Sequence, residues 1–216
     1  MNLVIPPLYA IIDATLLQIS ELSMAEMLAQ AGVELIQYRN KTAPTRQYFD
    51  VSRQLSGLLQ TRGVRLIVND RPDVALLAGA GGVHVGQEDL SVEDARAVCG
   101  PDRWVGVSTH TLEQFAAADK TSADYIAFGP IFPTKTKENP DAVVGTELLS
   151  RARRMTKKPI VAIGGVTLER AEEVYRAGAD SLAVIRDLIS VANPAARARE
   201  FLAVARAAKS DAPGSR

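Results

Sequence analysis

The chain has 216 residues, 25 basic and 25 acidic side chains, a formal net charge of +0 and 47% hydrophobic residues. That balance excludes a broad attraction to nucleic acid or anionic lipid, so an anionic partner must be held locally, and no stretch approaches the roughly 18 apolar residues of a membrane span. Met1 to Pro7 lacks the basic and apolar regions of a signal peptide, and the lone Cys99 has no partner for an internal disulfide, so the expectation is one domain over residues 1–216 in the reducing cytosol.

In chain order, the first apolar run of strand length is Leu8–Ile12, followed by a helical pattern at Ser23–Ala31. Strand Leu35–Tyr38 precedes helix Thr45–Thr61, and strands Arg65–Val68 and Gly82–Val85 precede helix Ser91–Val98. Strand Trp104–Val107, helix Leu112–Lys120, strand Tyr125–Phe128 and helix Glu147–Met155 follow. The series closes with strand Ile160–Ile163, helix Leu168–Ala177, strand Ser181–Ile185 and helix Ala195–Ala208. The strand runs are continuous Ile, Val, Leu and Ala, as in a parallel sheet buried on both faces. Ser23, Ser91 and Thr111 are of N-cap type. Ala31-Gly32, Ala78-Gly79 and Ala177-Gly178 recur where a helix gives way to a strand.

Eight such strands, with no Gly-x-Gly-x-x-Gly after the first, favour an α/β fold of the (β/α)8 TIM-barrel type over a doubly wound sheet. The long connection from Gly129 to about Gly145 carries Pro130, Pro133 and Pro140 and reads as a functional loop or lid. Residues 209–216 are small and polar, and are expected to fray.

In a parallel barrel the C-terminal strand ends share one rim, where barrels carry their chemistry. That rim collects Asp13; Gln37, Arg39 and Lys41; Asn69, Asp70 and Arg71; His84, Gln87 and Asp89; Ser108 and His110; Thr134, Thr136 and Lys137; Gly164 and Gly165; and Arg186. Gln37-Tyr38-Arg39-Asn40-Lys41 offers a planar guanidinium and a mobile ammonium, suited to diphosphate. Asp70 and Asp89 are hard oxygen donors suited to Mg2+. Each has a second reading: Asp89 as a helix cap, Asp70 as an ion pair with Arg71. Thr134-Lys135-Thr136-Lys137 reads as a phosphate-closing segment or as a solvated loop. Gly164-Gly165 and Ile185-Arg186, after the last two strands, suit a monophosphate site. His84 reads as a hydrogen-bonded barrel residue and His110 as a cap or proton carrier; Cys99 reads as structural.

These segments, with Asn69-Asp70-Arg71, Val83-His84-Val85-Gly86-Gln87-Glu88-Asp89-Leu90, Gly106-Val107-Ser108-Thr109-His110, Phe128 to Lys137 and Ala162-Ile163-Gly164-Gly165, resemble the thiamine-phosphate synthase family from about Leu8 to Ala208. The resemblance implies condensation of 4-amino-5-hydroxymethyl-2-methylpyrimidine diphosphate with a thiazole phosphate, giving thiamine phosphate and diphosphate, with Mg2+ as cofactor. It implies that residues 37 to 41, Asn69, Ser108 and Lys137 bind the pyrimidine diphosphate. By the same resemblance Asp70 and Asp89 would hold the metal, while Thr134, Lys135, Thr136, Gly165 and the backbone of Ile185 and Arg186 would receive the thiazole phosphate. Arg39, Lys41, Ser108 and Lys137 would carry the catalysis. Arg186 departs from the serine common at that place in relatives. A thiazole tautomerase using His110 and a non-catalytic phosphate-ligand sensor are the alternatives. A homo-oligomer is compatible with the sequence, and no nucleic acid or membrane partner is expected.

Overall fold

The computed structural model describes residues 3–134 and 141–210. Eight parallel strands, β1 (Leu8–Asp13), β2 (Leu35–Arg39), β3 (Arg65–Asn69), β4 (Gly82–Val85), β5 (Trp104–Thr109), β6 (Tyr125–Phe128), β7 (Ile160–Ile163) and β8 (Ser181–Val184), close in sequence order into one barrel. The last strand pairs with the first through Leu8 and Leu182. Around it lie α1 (Glu21–Gln30), α2 (Thr45–Gln60), α3 (Pro72–Leu77), α4 (Val92–Cys99), α5 (Leu112–Asp119), α6 (Gly145–Arg153), α7 (Leu168–Arg176), α8 (Arg186–Ile189) and α9 (Pro194–Ser210).

Successive strand side chains point to opposite faces, so each strand fills two cores. Tyr9, Ile11, Leu35, Ile67, Tyr125, Ala127, Val161 and Ala183 pack inside the barrel. Leu8, Ala10, Ile12, Ile36, Tyr38, Leu66 and Val68 pack into the helix layer. Burial on both sides is why the strands read as unbroken apolar runs.

The strands outlast those runs at their C-terminal ends. Asp13, Arg39, Asn69, Ser108 and Thr109 are strand residues, so much of the polar rim is built on rigid sheet. Ser91 and Thr111 cap α4 and α5. Ser20, not Ser23, caps α1, its hydroxyl accepting from the Ser23 N–H at 3.1 Å. Helix α9 runs to Ser210, and residues 211–216 of the segment expected to fray lie outside the described residues. Helices α3 and α8, of six and four residues, were not foreseen because so few residues carry too little period. Gly32, Gly79 and Gly178 take positive φ at the helix-to-strand turns, as the repeat implied. Cys99 is buried, and burial pushes its thiol up, in keeping with a structural role.

Candidate functional site at the barrel mouth

In the β1–β2 register Asp13 faces Arg39. Asp13, 1% exposed, forms an ion pair with the Arg39 guanidinium and accepts from the Thr15 N–H and hydroxyl at 3.1 and 2.7 Å. Arg39 is therefore a held fork whose charge is already matched. Lys41, just beyond the strand, lies 3.2 Å from an Asp70 carboxylate oxygen. Its loop is shaped by Asn40, whose Oδ1 accepts from the N–H groups of Thr42 and Ala43 at 3.1 and 3.0 Å; this Asx turn gives Asn40 a loop-forming role.

The Tyr38 side chain does not face the mouth, which leaves only its backbone for the substrate-binding role expected of it. Strand alternation turns residues 37 and 39 inward and 38 outward; its ring is buried against Tyr48 with centroids 5.0 Å apart. The Tyr48 hydroxyl from α2 lies 3.0 Å from the carbonyls of both Tyr38 and Asn69 and accepts from the Asn69 N–H at 3.1 Å. Tyr48 thus ties the ends of β2 and β3 together beneath the site, a role that its place in an amphipathic helix does not reveal.

Asp70 has φ 62, a left-handed conformation uncommon outside glycine and held only where surroundings impose it. Its N–H donates to the His84 carbonyl at 2.8 Å. Burial, and then the nearby Asp89 carboxylate, push the Asp70 carboxyl up, with Lys41 opposing both. A second carboxylate that raises the proton affinity of Asp70 must lie close to it. Asp89 accepts from the Gly86 N–H at 2.7 Å, while Ser91 caps α4, so the helix-cap reading of Asp89 fails. The ion pair considered for Asp70 with Arg71 also fails, since Arg71 pairs with Asp73 at 2.6 Å. Among the described residues no group of three or more His, Cys, Asp or Glu could hold a metal. Mg2+ needs fewer: it keeps waters and takes substrate phosphate oxygens beside one or two carboxylates, so the Asp70–Asp89 pair fits it.

Where β1 to β4 end, two cations, Arg39 and Lys41, stand against three carboxylates, Asp13, Asp70 and Asp89. A bare diphosphate would meet net negative charge here, whereas one accompanied by Mg2+ would not.

Gln37 is buried and donates its Nε2–H to the Tyr9 hydroxyl at 2.7 Å. Ser108 and His84 join at 2.9 Å, and the other His84 nitrogen reaches the Tyr125 hydroxyl at 3.1 Å, bearing out a hydrogen-bonded barrel histidine. Tyr9 and Tyr125 were read only as strand apolars. Asn69 is 9% exposed at the end of β3.

On the far side of the mouth the loop after β6 lies along the end of β7. The N–H groups of Ile131 and Phe132 donate to the carbonyls of Ile163 and Gly164 at 2.9 and 3.0 Å. Gly165 has φ 63, and a Cβ there would stand 2.6 Å from the Pro133 carbonyl oxygen. Thr134, next in the chain, is half-buried. Ile185 and the exposed Arg186 open α8, and Arg186 has no carboxylate partner among the described residues. His110 lies 2.6 Å from the Gly129 carbonyl through Nδ1 and 3.4 Å from Asp141 through Nε2, anchoring both flanks of this loop. Lys135, Thr136 and Lys137 lie outside the described residues.

Residues 8–188 match a family described as thiamine monophosphate synthase. The chain is similar to thiamine-phosphate synthase of Koribacter versatilis (strain Ellin345), 49% identical over 208 residues, covering 94% of this chain and 97% of that protein. It is 41% identical over 198 residues to the same enzyme of Chloroflexus aurantiacus, covering 91% of each. Among solved structures it resembles a thiamine phosphate pyrophosphorylase from Pyrococcus furiosus, with TM-score 0.86, 33% identity, and 94% and 96% of the two chains covered.

Proposed function

The chain belongs to the thiamine monophosphate synthase family, and from that premise we infer that it joins 4-amino-5-hydroxymethyl-2-methylpyrimidine diphosphate to a thiazole phosphate at this mouth. The bond between the pyrimidine methylene carbon and the diphosphate oxygen breaks, the thiazole nitrogen bonds to that carbon, and thiamine phosphate and diphosphate leave. The observation that carries this reading is the placing of the Asp70 and Asp89 carboxylates together at the ends of adjacent strands, with Lys41 3.2 Å from Asp70. It is an arrangement for diphosphate that arrives with a divalent cation.

Asp70 and Asp89 would hold Mg2+, which when bound supplies positive charge to the departing diphosphate. The protein's own part is positional. Arg39, held by Asp13, offers fixed N–H donors, and Lys41 and Lys137 offer ammonium groups to charge that develops as the bond breaks. Ser108 and Asn69 take the pyrimidine side. Thr134, Gly165 and Arg186 take the thiazole phosphate, where the Arg186 guanidinium, without a carboxylate partner among the described residues, adds charge. Substitution proceeds dissociatively, through a cation that the pyrimidine ring stabilises, so closing the mouth against water protects it. Neither alternative gains support: the relatives carry the synthase name, and His110 is engaged with Gly129 and Asp141. The cytosol suits the single buried thiol.

Titration with each substrate alone tests the division of labour. Lys41→Ala is expected to weaken the pyrimidine diphosphate about tenfold, the scale of one charge-assisted hydrogen bond, and to leave the thiazole phosphate unchanged; the reverse pattern would overturn the assignment. Lys137→Ala is expected to slow single-turnover bond cleavage about tenfold, with Lys137→Arg recovering part of the rate because charge survives but reach changes. Product formation at the unmodified rate in Lys137→Ala would make that residue a solvated loop lysine.

A further inference from the structure

We propose that Tyr9, Tyr125 and His84 are positioning residues whose buried hydrogen-bond relay fixes Gln37 as an acceptor and Ser108 as a donor toward the bound substrate. The relay crosses the barrel interior through five strands. Gln37 Nε2 lies 2.7 Å from the Tyr9 hydroxyl, which lies 2.9 Å from the Tyr125 hydroxyl. Tyr125 reaches His84 Nδ1 at 3.1 Å, and His84 Nε2 reaches Ser108 Oγ at 2.9 Å. Every member except Ser108 is buried.

The order of donors follows from what each group can do. An amide NH2 only donates, so Tyr9 accepts from Gln37, and its own hydrogen, with no other acceptor among the described residues, is assigned to Tyr125. Tyr125, having accepted, donates to His84 Nδ1. A singly protonated imidazole with Nδ1 accepting carries its proton on Nε2 and donates to Ser108. The Ser108 hydrogen is then free for the mouth. At the other end, Gln37 Oε1 has no partner among the described residues, yet the one partnerless side-chain atom sealed from solvent there is Ser181 Oγ. Gln37 therefore shows an accessible acceptor.

The surroundings hold this direction. Burial keeps both phenols well above their usual range, as neutral O–H donors. Tyr9 meets Tyr125 edge-on at 5.9 Å, and His84 stacks on Tyr125 at 5.6 Å. A Cβ at Gly106 would lie 2.0 Å from the Tyr125 ring, so β5 leaves the space that Tyr125 occupies. An acceptor at one end and a hydroxyl donor at the other match a ligand with an N–H group and an anionic oxygen. The aminopyrimidine diphosphate of the proposed function is such a ligand, and this inference rests on that reading for its substrate.

The test uses the full chain, 15N-labelled in its two histidines, with NMR to locate the His84 ring proton and kinetics on Tyr125→Phe. The ring proton is expected on Nε2; a proton on Nδ1 reverses the relay and overturns the proposal. Tyr125→Phe removes one oxygen and cuts the chain. It is expected to raise KM for the pyrimidine diphosphate about tenfold, to leave KM for the thiazole phosphate within about twofold, and to abolish the His84 tautomer preference. A merely structural tyrosine would lower thermal stability while leaving both KM values and the tautomer as they were, and that result also overturns the proposal. Tyr9→Phe makes the same cut one step away and replaces Tyr125→Phe should the latter not fold. Failure of the unmodified protein to make thiamine phosphate would sink the functional reading with the tautomer still readable; normal turnover with an unaffected Tyr125→Phe would sink the relay alone.

Discussion

Asp70→Asn and Asp89→Asn are each expected to lower Mg2+-supported turnover by about 10²- to 10³-fold, the scale of losing one preorganised charge at a reacting centre. The two should differ in stability. Asp70 is held at φ 62, which asparagine tolerates well, and its ionised form is opposed by burial and by Asp89. A carboxyl whose folded pKa is raised binds its proton more tightly in the folded protein, so its ionisation destabilises the fold as pH rises through that range. Asp70→Asn should therefore melt about 1–4 °C above the parent at neutral pH without Mg2+, an advantage that fades as the pH falls and Asp70 becomes protonated. The lost pair with Lys41, whose side chain is 55% exposed, offsets this by at most about 1 kcal/mol. Turnover titrated with Mg2+, alongside melting curves over pH, checks both halves. Unchanged metal dependence in both variants would remove these residues from the metal site.

Gly165→Val is expected to raise KM for the thiazole phosphate by at least about a hundredfold while the pyrimidine diphosphate still binds. At φ 63 a β-branched residue is strained, and here its Cβ would meet the Pro133 carbonyl oxygen at 2.6 Å and Phe132 at 2.8 Å. The neighbouring loop is fixed to β7 by the Ile131 and Phe132 N–H bonds, so relief must come from lifting the segment that leads into Thr134. Strain of this kind costs about 1–3 kcal/mol, so melting curves are needed beside separate titrations with each substrate. Loss of pyrimidine diphosphate binding with intact thiazole phosphate binding would reverse the assignment of the two halves of the mouth.

Much of this architecture was legible because a strand buried on both faces must be apolar throughout, and eight such runs at regular spacing leave few folds. The strand ends were legible as a polar rim for the same reason. Less could be read where the answer depended on which strands lie side by side. Residues 37 to 41 form one polar block in sequence, but the two-residue alternation of β2 sends Tyr38 into the helix layer and leaves Gln37 and Arg39 inside. That Arg39 is matched by Asp13 follows only from the β1–β2 register. Lys41 meets Asp70 because the ends of β2 and β3 adjoin, whereas the adjacent Arg71 turns to Asp73. The relay from Gln37 to Ser108 draws on five strands, and Tyr9 and Tyr125 carry no local mark of it, since a phenol inside an apolar run looks like core until its hydroxyl finds a partner.

The account is tested most directly by mixing the purified protein with both substrates and Mg2+ and following thiamine phosphate and diphosphate together. It predicts that the two products appear in equal amounts, only when both substrates are present, and that a chelator stops their formation and weakens binding of the pyrimidine diphosphate, as Arg39 and Lys41 set against Asp13, Asp70 and Asp89 require. Tight binding of both substrates with neither product formed in the presence of Mg2+ would contradict it.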